Sequence, residues 1–339
     1  MNIDQWVTTL QGQKPKAFIN LTECSGIGDS INSTSAIRHF KQEHPNHILT
    51  LVVDDFYKNE VFANSPYIDF LVPAINSDIH WDKEDFSLYP KWSFCEQHQH
   101  PPENPHVCQS YNYHINGKYY PDFNMEMFQN NYDIKYVDEI VSLLPKDKPL
   151  AAISPAYTMF NRMLPQKDWQ RIVNRLIKKY TVISFGGVSD FNLENVIDLR
   201  CKFRVNQIPY FLKCCEKIFT VNSGALHIAG CNPEIEIILL SVGEFPSSMV
   251  LPQRNGEVGW NCHVVEHICP IKEECFVGHT KETIYQEQLK IEILKYGSKY
   301  PISLLRKWAA WKYCAKKADQ YSCSRLVMKN LMESGLLPE

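Results

Sequence analysis

No stretch of about 18 consecutive apolar residues occurs in the 339-residue chain, so no membrane-spanning helix is expected. The opening Met1-Asn2-Ile3-Asp4-Gln5-Trp6 lacks a basic segment followed by an apolar one, which speaks against a secretory leader. Internal repeats and low-complexity tracts are also missing, setting aside solenoids and arrays. Twelve cysteines without a leader read as reduced thiols or metal ligands rather than a disulfide framework. The expected address is cytoplasmic, with peripheral association at the inner membrane face left open.

Acidic residues are nearly missing from one region. Between Lys295 and Lys329 there are nine Lys/Arg and a single acid, Asp319. That gives a local charge of +8 and leaves −11 for the rest of a chain whose net charge is −3. Trp308, Trp311, Tyr313 and Tyr321 are interleaved with the cations. One reading is an amphipathic C-terminal helix with a solvated basic face. The other is a surface for an anionic acceptor, a membrane headgroup or nucleic acid.

The 44% hydrophobic and 22% charged composition is that of a globular protein long enough for two domains. Residues 17–22 read as a strand, 30–42 as a helix and 48–53 as a second strand, a βαβ unit with parallel strands. Phe70-Leu71-Val72-Pro73 forms a short third strand. Residues 76–132, rich in His, Asn, Pro, Tyr and Asp, read as an irregular acceptor-side insertion. Pro145-Lys146-Asp147-Lys148-Pro149 reads as a linker. A second α/β series follows, with strands at 150–154, 181–185, 217–221 and 236–240. The expected fold class is α/β with two doubly wound halves: an N-terminal domain over 1–148, a C-terminal domain over 149–295 and a basic helical segment over 296–339.

Two turns, about 195 residues apart, carry the chemistry. In the first, Ser25-Gly26-Ile27-Gly28-Asp29-Ser30, the third glycine of a dinucleotide fingerprint falls on Ile31, which weakens a dehydrogenase reading. Asp29 would repel a phosphate. It suits instead a carboxylate that takes a proton from an acceptor hydroxyl, or simply a helix-starting Asp. The second, Val221-Asn222-Ser223-Gly224-Ala225-Leu226-His227, opens a helix after an apolar strand, where free N–H groups favour an anion. The plainer reading makes Asn222-Ser223 a cap and His227 structural.

Taken together, these segments resemble glycosyltransferase family 9, the ADP-heptose:lipopolysaccharide heptosyltransferases. The matching stretches are Gly26-x-Gly28-Asp29 with Ala36-Ile37-Arg38-x-Phe40-Lys41-x-x-x-Pro45, Asn64-Ser65-Pro66-Tyr67-Ile68-Asp69, Arg162-x-x-Pro165-x-x-x-Trp169, Asn222-Ser223-Gly224-x-x-His227-Ile228-Ala229 and Cys269-Pro270-x5-Cys275. The resemblance implies a GT-B fold and inverting, metal-independent transfer from a nucleotide sugar, ADP- or UDP-linked. It makes Asp29 the general base, with Gly26, Gly28 and Ser30 on the acceptor side. It likewise implies that Arg162, Asn222, Ser223, Gly224 and His227 bind the donor. Arg162 stands where the family usually has Lys, and Asn222 where it usually has Asp, so the donor need not be ADP-heptose.

Cys95, His98, His100, His106 and Cys108, and separately Cys262, His263, His267, Cys269 and Cys275, have ligand types compatible with structural zinc, though neither spacing matches a strong template. No cofactor is required for the expected chemistry. Cys214-Cys215 reads as core thiols. The leading expectation is sugar transfer to a surface glycan of the lipopolysaccharide kind. Alternatives are transfer to a hydroxylated base of nucleic acid through the basic segment, a non-catalytic nucleotide-sugar-binding protein and, on Gly26-x-Gly28 alone, an NAD-dependent oxidoreductase.

Overall fold

The structure is a computed structural model that describes residues 16–21, 26–53, 56–73, 106–155, 164–187, 190–241, 250–254, 257–266, 290, 294 and 323–338. The chain forms two compact units. Unit 1 is Met1–Ile134 with Arg204–Asn206 and Gln253–Gly256; unit 2 is Lys135–Phe203, Gln207–Pro252 and Glu257–Glu339.

Unit 1 is built on a parallel sheet of order β1(Lys16–Asn20)-β2(Ile48–Val53)-β3(Phe70–Pro73). Pairing runs Ala17↔Leu49 and Thr50↔Phe70. β2 is buried on both sides, which is why Ile-Leu-Thr-Leu-Val-Val reads as a continuous apolar run rather than an alternating one. Helix α1 (Ile27–Glu43) crosses from β1 to β2, and α2 (Phe56–Phe62) from β2 to β3. The expected helix at 30–42 thus begins three residues earlier, so Asp29 lies inside its first turn. Asp69 closes the turn before β3: its carboxylate accepts Leu49 N–H at 2.8 Å and pairs with Lys41.

Residues 106–132 are more regular than their composition suggests. A ten-residue helix α3 (Val107–Asn116) packs on α1. Val107, Tyr111 and Ile115 recur every fourth residue and are buried, so the apolar stripe exists but is masked by the polar residues between. The His106 side chain caps it, accepting Cys108 N–H at 3.2 Å. Gly117 ends it at φ 72°, the left-handed geometry that a side chain disfavours. Phe123, Met125 and Met127 then bury beside it, with the Gln253 amide holding Phe123 N–H and the Pro121 carbonyl at 3.2 Å each.

A second carboxylate cluster ties Arg204–Asn206 into unit 1. Asp133 is fully buried and accepts from Arg204, from Asn206 Nδ2 at 2.9 Å and from Asn64 Nδ2 at 3.5 Å. Glu60 accepts Val205 N–H at 2.5 Å. Burial raises the Glu60 carboxyl above its ordinary range, against that hydrogen bond.

The chain passes into unit 2 along α4 (Asn131–Ser142). The strands of its large sheet are β4(Leu150–Ser154), β5(Thr181–Ser184), β6(Ile197–Asp198), β7(Lys217–Thr220), β8(Glu236–Ser241) and β9(Cys262–Glu266). They form one parallel sheet of order β9-β8-β7-β4-β5-β6. Counted within the unit, this is the 3-2-1-4-5-6 order of a doubly wound nucleotide fold. The helices are α5(Gln166–Leu176), α6(Ile208–Leu212), α7(Gly224–Gly230) and α8(Cys323–Glu333).

Trp169, Ile172, Val173 and Leu176 of α5 pack with Ile153, Phe219 and Ile238 of the sheet. Val327, Met328 and Leu331 of α8 join the same core, and Asn330 Nδ2 donates to the Glu266 carbonyl of β9 at 2.7 Å. The last part of the basic segment is therefore an amphipathic helix packed on unit 2. Residues 295–322 lie outside the described residues. No helix among the described residues is long and apolar enough to cross a membrane.

Candidate active site

In unit 2 the order of the sheet locates a crevice. The crossovers diverge between β4 and β7, so the carboxyl ends of those strands leave an opening at the edge of the sheet, where such folds bind ligands. β4 ends at Ser154, paired with Thr220 at the end of β7. From β7 the chain runs through Val221 and Asn222 into Ser223, the N-cap of α7. Ser223 has extended backbone and makes no side-chain capping bond; its carbonyl instead accepts Leu226 N–H at 3.1 Å. Its Oγ is buried without a hydrogen-bond partner among the described residues. Such a hydroxyl costs about 1–3 kcal/mol unless a ligand supplies an acceptor or donor.

Gly224 follows as the first helical residue, half-buried and without a Cβ to block approach. Asn222 and His227 are 8% and 5% exposed. Unit 2 thus brings Asn222, Ser223, Gly224 and His227 onto one short turn at the switch point. Arg162, expected on the segment after β4, lies outside the described residues.

In unit 1 the first turn of α1 follows β1 closely. Gly26 is the N-cap, extended at φ −169°, and its carbonyl accepts Ser30 N–H at 3.1 Å and the Ser30 hydroxyl at 3.3 Å. Asp29 is half-buried. Its Oδ2 stands 3.9 Å from the point where a Cβ on Gly26 would sit. Gly28 is helical and half-buried beside them. Asp29, Gly26 and Gly28 therefore share the half-buried start of one helix, whereas Ser30, expected on the acceptor side, is wholly buried beneath them. The carboxylate is held there by the helix's own geometry and favoured by its N-terminal dipole.

Behind this surface, α1 is unusually polar for a buried helix. Ser30, Asn32, Ser33, Thr34, Ser35, Arg38 and His39 are all buried. Arg38 pairs with Glu126 and, at 3.1 Å, with Asp122. Burial raises the Glu126 carboxyl even so, Arg38 opposing the shift. Thr34 Oγ1 accepts Glu126 N–H at 3.0 Å. The His39 ring stacks on Tyr120 at 3.8 Å, and burial lowers its pKa. Sequence reasoning missed this network. The available signal was Asn32-Ser33-Thr34-Ser35, a run of residues that compete with helical hydrogen bonding yet sit inside a helix.

The cysteine and histidine sets resolve in part. Cys95, His98 and His100 lie outside the described residues, as do His267, Cys269 and Cys275. His106 serves as the α3 cap, and Cys108 is wholly buried with its thiol donating to Asn32 Oδ1 at 3.2 Å. Burial pushes the Cys262 thiol up to about 12. His263 pairs with Glu236 at 3.3 Å, and Lys217 reaches the same carboxylate at 2.9 Å. Lys217 and Glu236 open their strands, so this cluster lies on the amino edge of the sheet, opposite the crevice. Among the described residues no three His, Cys, Asp or Glu side chains are grouped to hold a metal ion. Cys214, expected in the core, is exposed; Cys215 is the buried member of the pair, because α6 ends at Leu212 and the turn points its neighbour outward.

Comparison with solved structures agrees with this architecture. The chain is similar to the Escherichia coli ADP-heptose lps heptosyltransferase II, at 15% identity, over 75% of this chain and 91% of that one, TM-score 0.57. It is similar to the glycosyl transferase family 9 structure from Veillonella parvula, at 14% identity, over 93% and 97%, TM-score 0.61. A third likeness is to the dodecameric iron-containing heptosyltransferase TibC in complex with ADP-D-beta-D-heptose, at 14% identity, over 76% and 63%, TM-score 0.53. At these identities the likeness establishes the fold, the α/β GT-B class expected from the sequence. No protein-family model matches the chain, and no curated protein matches it in sequence.

Proposed function

We propose that this protein is a glycosyltransferase that moves a sugar from a nucleotide-sugar donor to the hydroxyl of a glycan acceptor. The observation that carries the reading is the switch-point turn of unit 2. A Ser223 hydroxyl without a partner among the described residues and Gly224 stand where a doubly wound sheet binds a nucleotide, on a fold shared with heptosyltransferases. The donor diphosphate would lie against Ser223 and Gly224, with Asn222 and His227 beside it and Arg162 supplying positive charge.

On this reading Asp29 is the general base. It takes the proton of the acceptor O–H as that oxygen bonds to the anomeric carbon, while the bond from that carbon to the diphosphate breaks. The nucleoside diphosphate leaves with the electron pair, stabilised by the donors around it. A single in-line displacement of this kind inverts the anomeric centre and needs no metal. Neutral Asn222, in place of a carboxylate, removes one negative charge from the donor side and suits donors other than ADP-heptose. A surface glycan is the acceptor class favoured by the resemblance.

The test is binding of ADP-, UDP-, GDP- and CMP-sugars to the purified chain by calorimetry. Selective binding of one of them, weakened at least about tenfold by Ser223→Ala combined with Arg162→Ala, supports the reading. Binding of none, together with tight NAD(H) binding, would replace it with the oxidoreductase alternative.

A further inference from the structure

We infer that Asn112, seated on α3, is a positioning residue for Asp29: it fixes the rotation of α1 about its own axis and so the aim of the carboxylate. The inference rests on the reading of Asp29 as the base. Asn112 is wholly buried and makes three hydrogen bonds. Its Nδ2 donates to Ser35 Oγ at 3.1 Å and to the Cys108 carbonyl at 3.0 Å. With the amide N–H groups committed, its Oδ1 is the acceptor for His39 Nδ1–H at 2.8 Å.

These bonds belong to a ladder between the two helices. Cys108 Sγ donates to Asn32 Oδ1 at 3.2 Å, and Asn116 Nδ2 donates to the Ala36 carbonyl at 3.0 Å. Residues 108, 112 and 116 form one stripe of α3, spaced by four. Asn32, Ser35, Ala36 and His39 form one stripe of α1, spaced by three and four. Asp29 continues that second stripe, one turn beyond Asn32. The side chains facing α3 are therefore in register with the base.

Apolar packing is non-directional and lets a helix roll, whereas hydrogen bonds are directional and give a single rotational setting. Side-chain ends on a helix lie about 5–6 Å from its axis. A roll of about 10° then moves the carboxylate by about 1 Å, a displacement that can cost about a hundredfold in rate. A helix held by leucines would not set the angle that finely. Five buried polar residues of α1 do: Asn32, Ser35 and His39 bond to α3, and Thr34 and Arg38 bond to the Asp122–Glu126 segment.

The experiment compares Asn112→Leu with the wild-type chain. The variant keeps the branched four-atom skeleton of the side chain and removes all three bonds. Two readouts are taken on folded protein: the pH titration of the Asp29 carboxyl by 13C NMR, and nucleoside diphosphate release with water as acceptor, using the nucleotide sugar that binds. The expected result is a displaced Asp29 resonance and titration midpoint, kcat lower by about 10–100-fold, and donor Kd within about twofold of wild type. Asn112→Asp keeps the acceptor for His39 and is expected to restore most of the rate.

Wild-type Asp29 titration with wild-type kcat per folded molecule in Asn112→Leu would overturn the inference. If Asn112→Leu does not fold, Cys108→Ala, which removes the rung nearest Asp29, is read by the same two measurements and the same criteria. The base assignment fails separately, by Asp29→Asn retaining full turnover.

Discussion

The Oδ2 oxygen of Asp29 lies 3.9 Å from the position a methyl group on Gly26 would occupy. That is ordinary van der Waals contact, and Gly26 has extended backbone open to any residue. Gly26→Ala should therefore leave stability within about 1 kcal/mol of wild type, the scale of an N-cap change. The methyl would stand where an acceptor hydroxyl approaches the carboxylate. Turnover is predicted to fall about tenfold or more at unchanged donor affinity, measured as nucleoside diphosphate release. Unchanged turnover would move the acceptor to another side of Asp29.

Asp133 is the acceptor for Arg204, Asn206 and Asn64 at a wholly buried position. Asp133→Ala strands these donors and should destabilise unit 1 by about 3 kcal/mol or more. Urea unfolding followed by a probe in unit 1 measures it. Asp133→Asn keeps the volume and one acceptor and should cost less.

Burial holds His39 below its ordinary 6.5. Between the folded and unfolded values the unfolded chain binds the extra proton, so stability falls as pH drops below 6.5 and no such loss occurs above it. The maximal slope from one group is about 1.4 kcal/mol per pH unit. His39→Gln removes the titration and keeps a donor toward Asn112. The expected result is a shallower loss of stability between pH 7 and 5 than in wild type, measured by urea unfolding at each pH.

Leu331 on α8 is wholly buried in the unit 2 core with Val327 and Met328. Leu331→Ala should cost about 2–5 kcal/mol. Lys329 on the same helix pairs with Glu333 at 4.0 Å, with both side chains mostly exposed, and Lys329→Ala should cost under about 1 kcal/mol. Chemical denaturation of both variants distinguishes a packed helix from one resting loosely on the surface.

Much of this was legible in the sequence because parallel strands are buried on both faces. Ile48–Val53 and Glu236–Ser241 declare themselves as apolar runs, and the glycine and serine turns mark where strands give way to helices. The order of the unit 2 sheet was not legible, since it depends on which way each crossover turns. Asp29 and the Asn222–His227 turn are proposed from local pattern and family resemblance together, and each stands at the start of a helix. The α1–α3 network was not, because Asn112 and His39 look like surface residues until their partners, 73 residues apart in sequence, are brought together. Helix α3 was hidden for the same reason: its polar side chains face inward, so its composition suggested a loop.

The most direct test of the account is Asp29→Asn, measured for donor binding and for transfer in parallel. The substitution keeps the shape and removes the proton acceptor. Donor Kd is predicted to stay within about twofold of wild type while nucleoside diphosphate release falls at least about a hundredfold, the size of a lost general base. Full turnover in Asp29→Asn, or loss of donor binding equal to the loss of rate, would contradict the account.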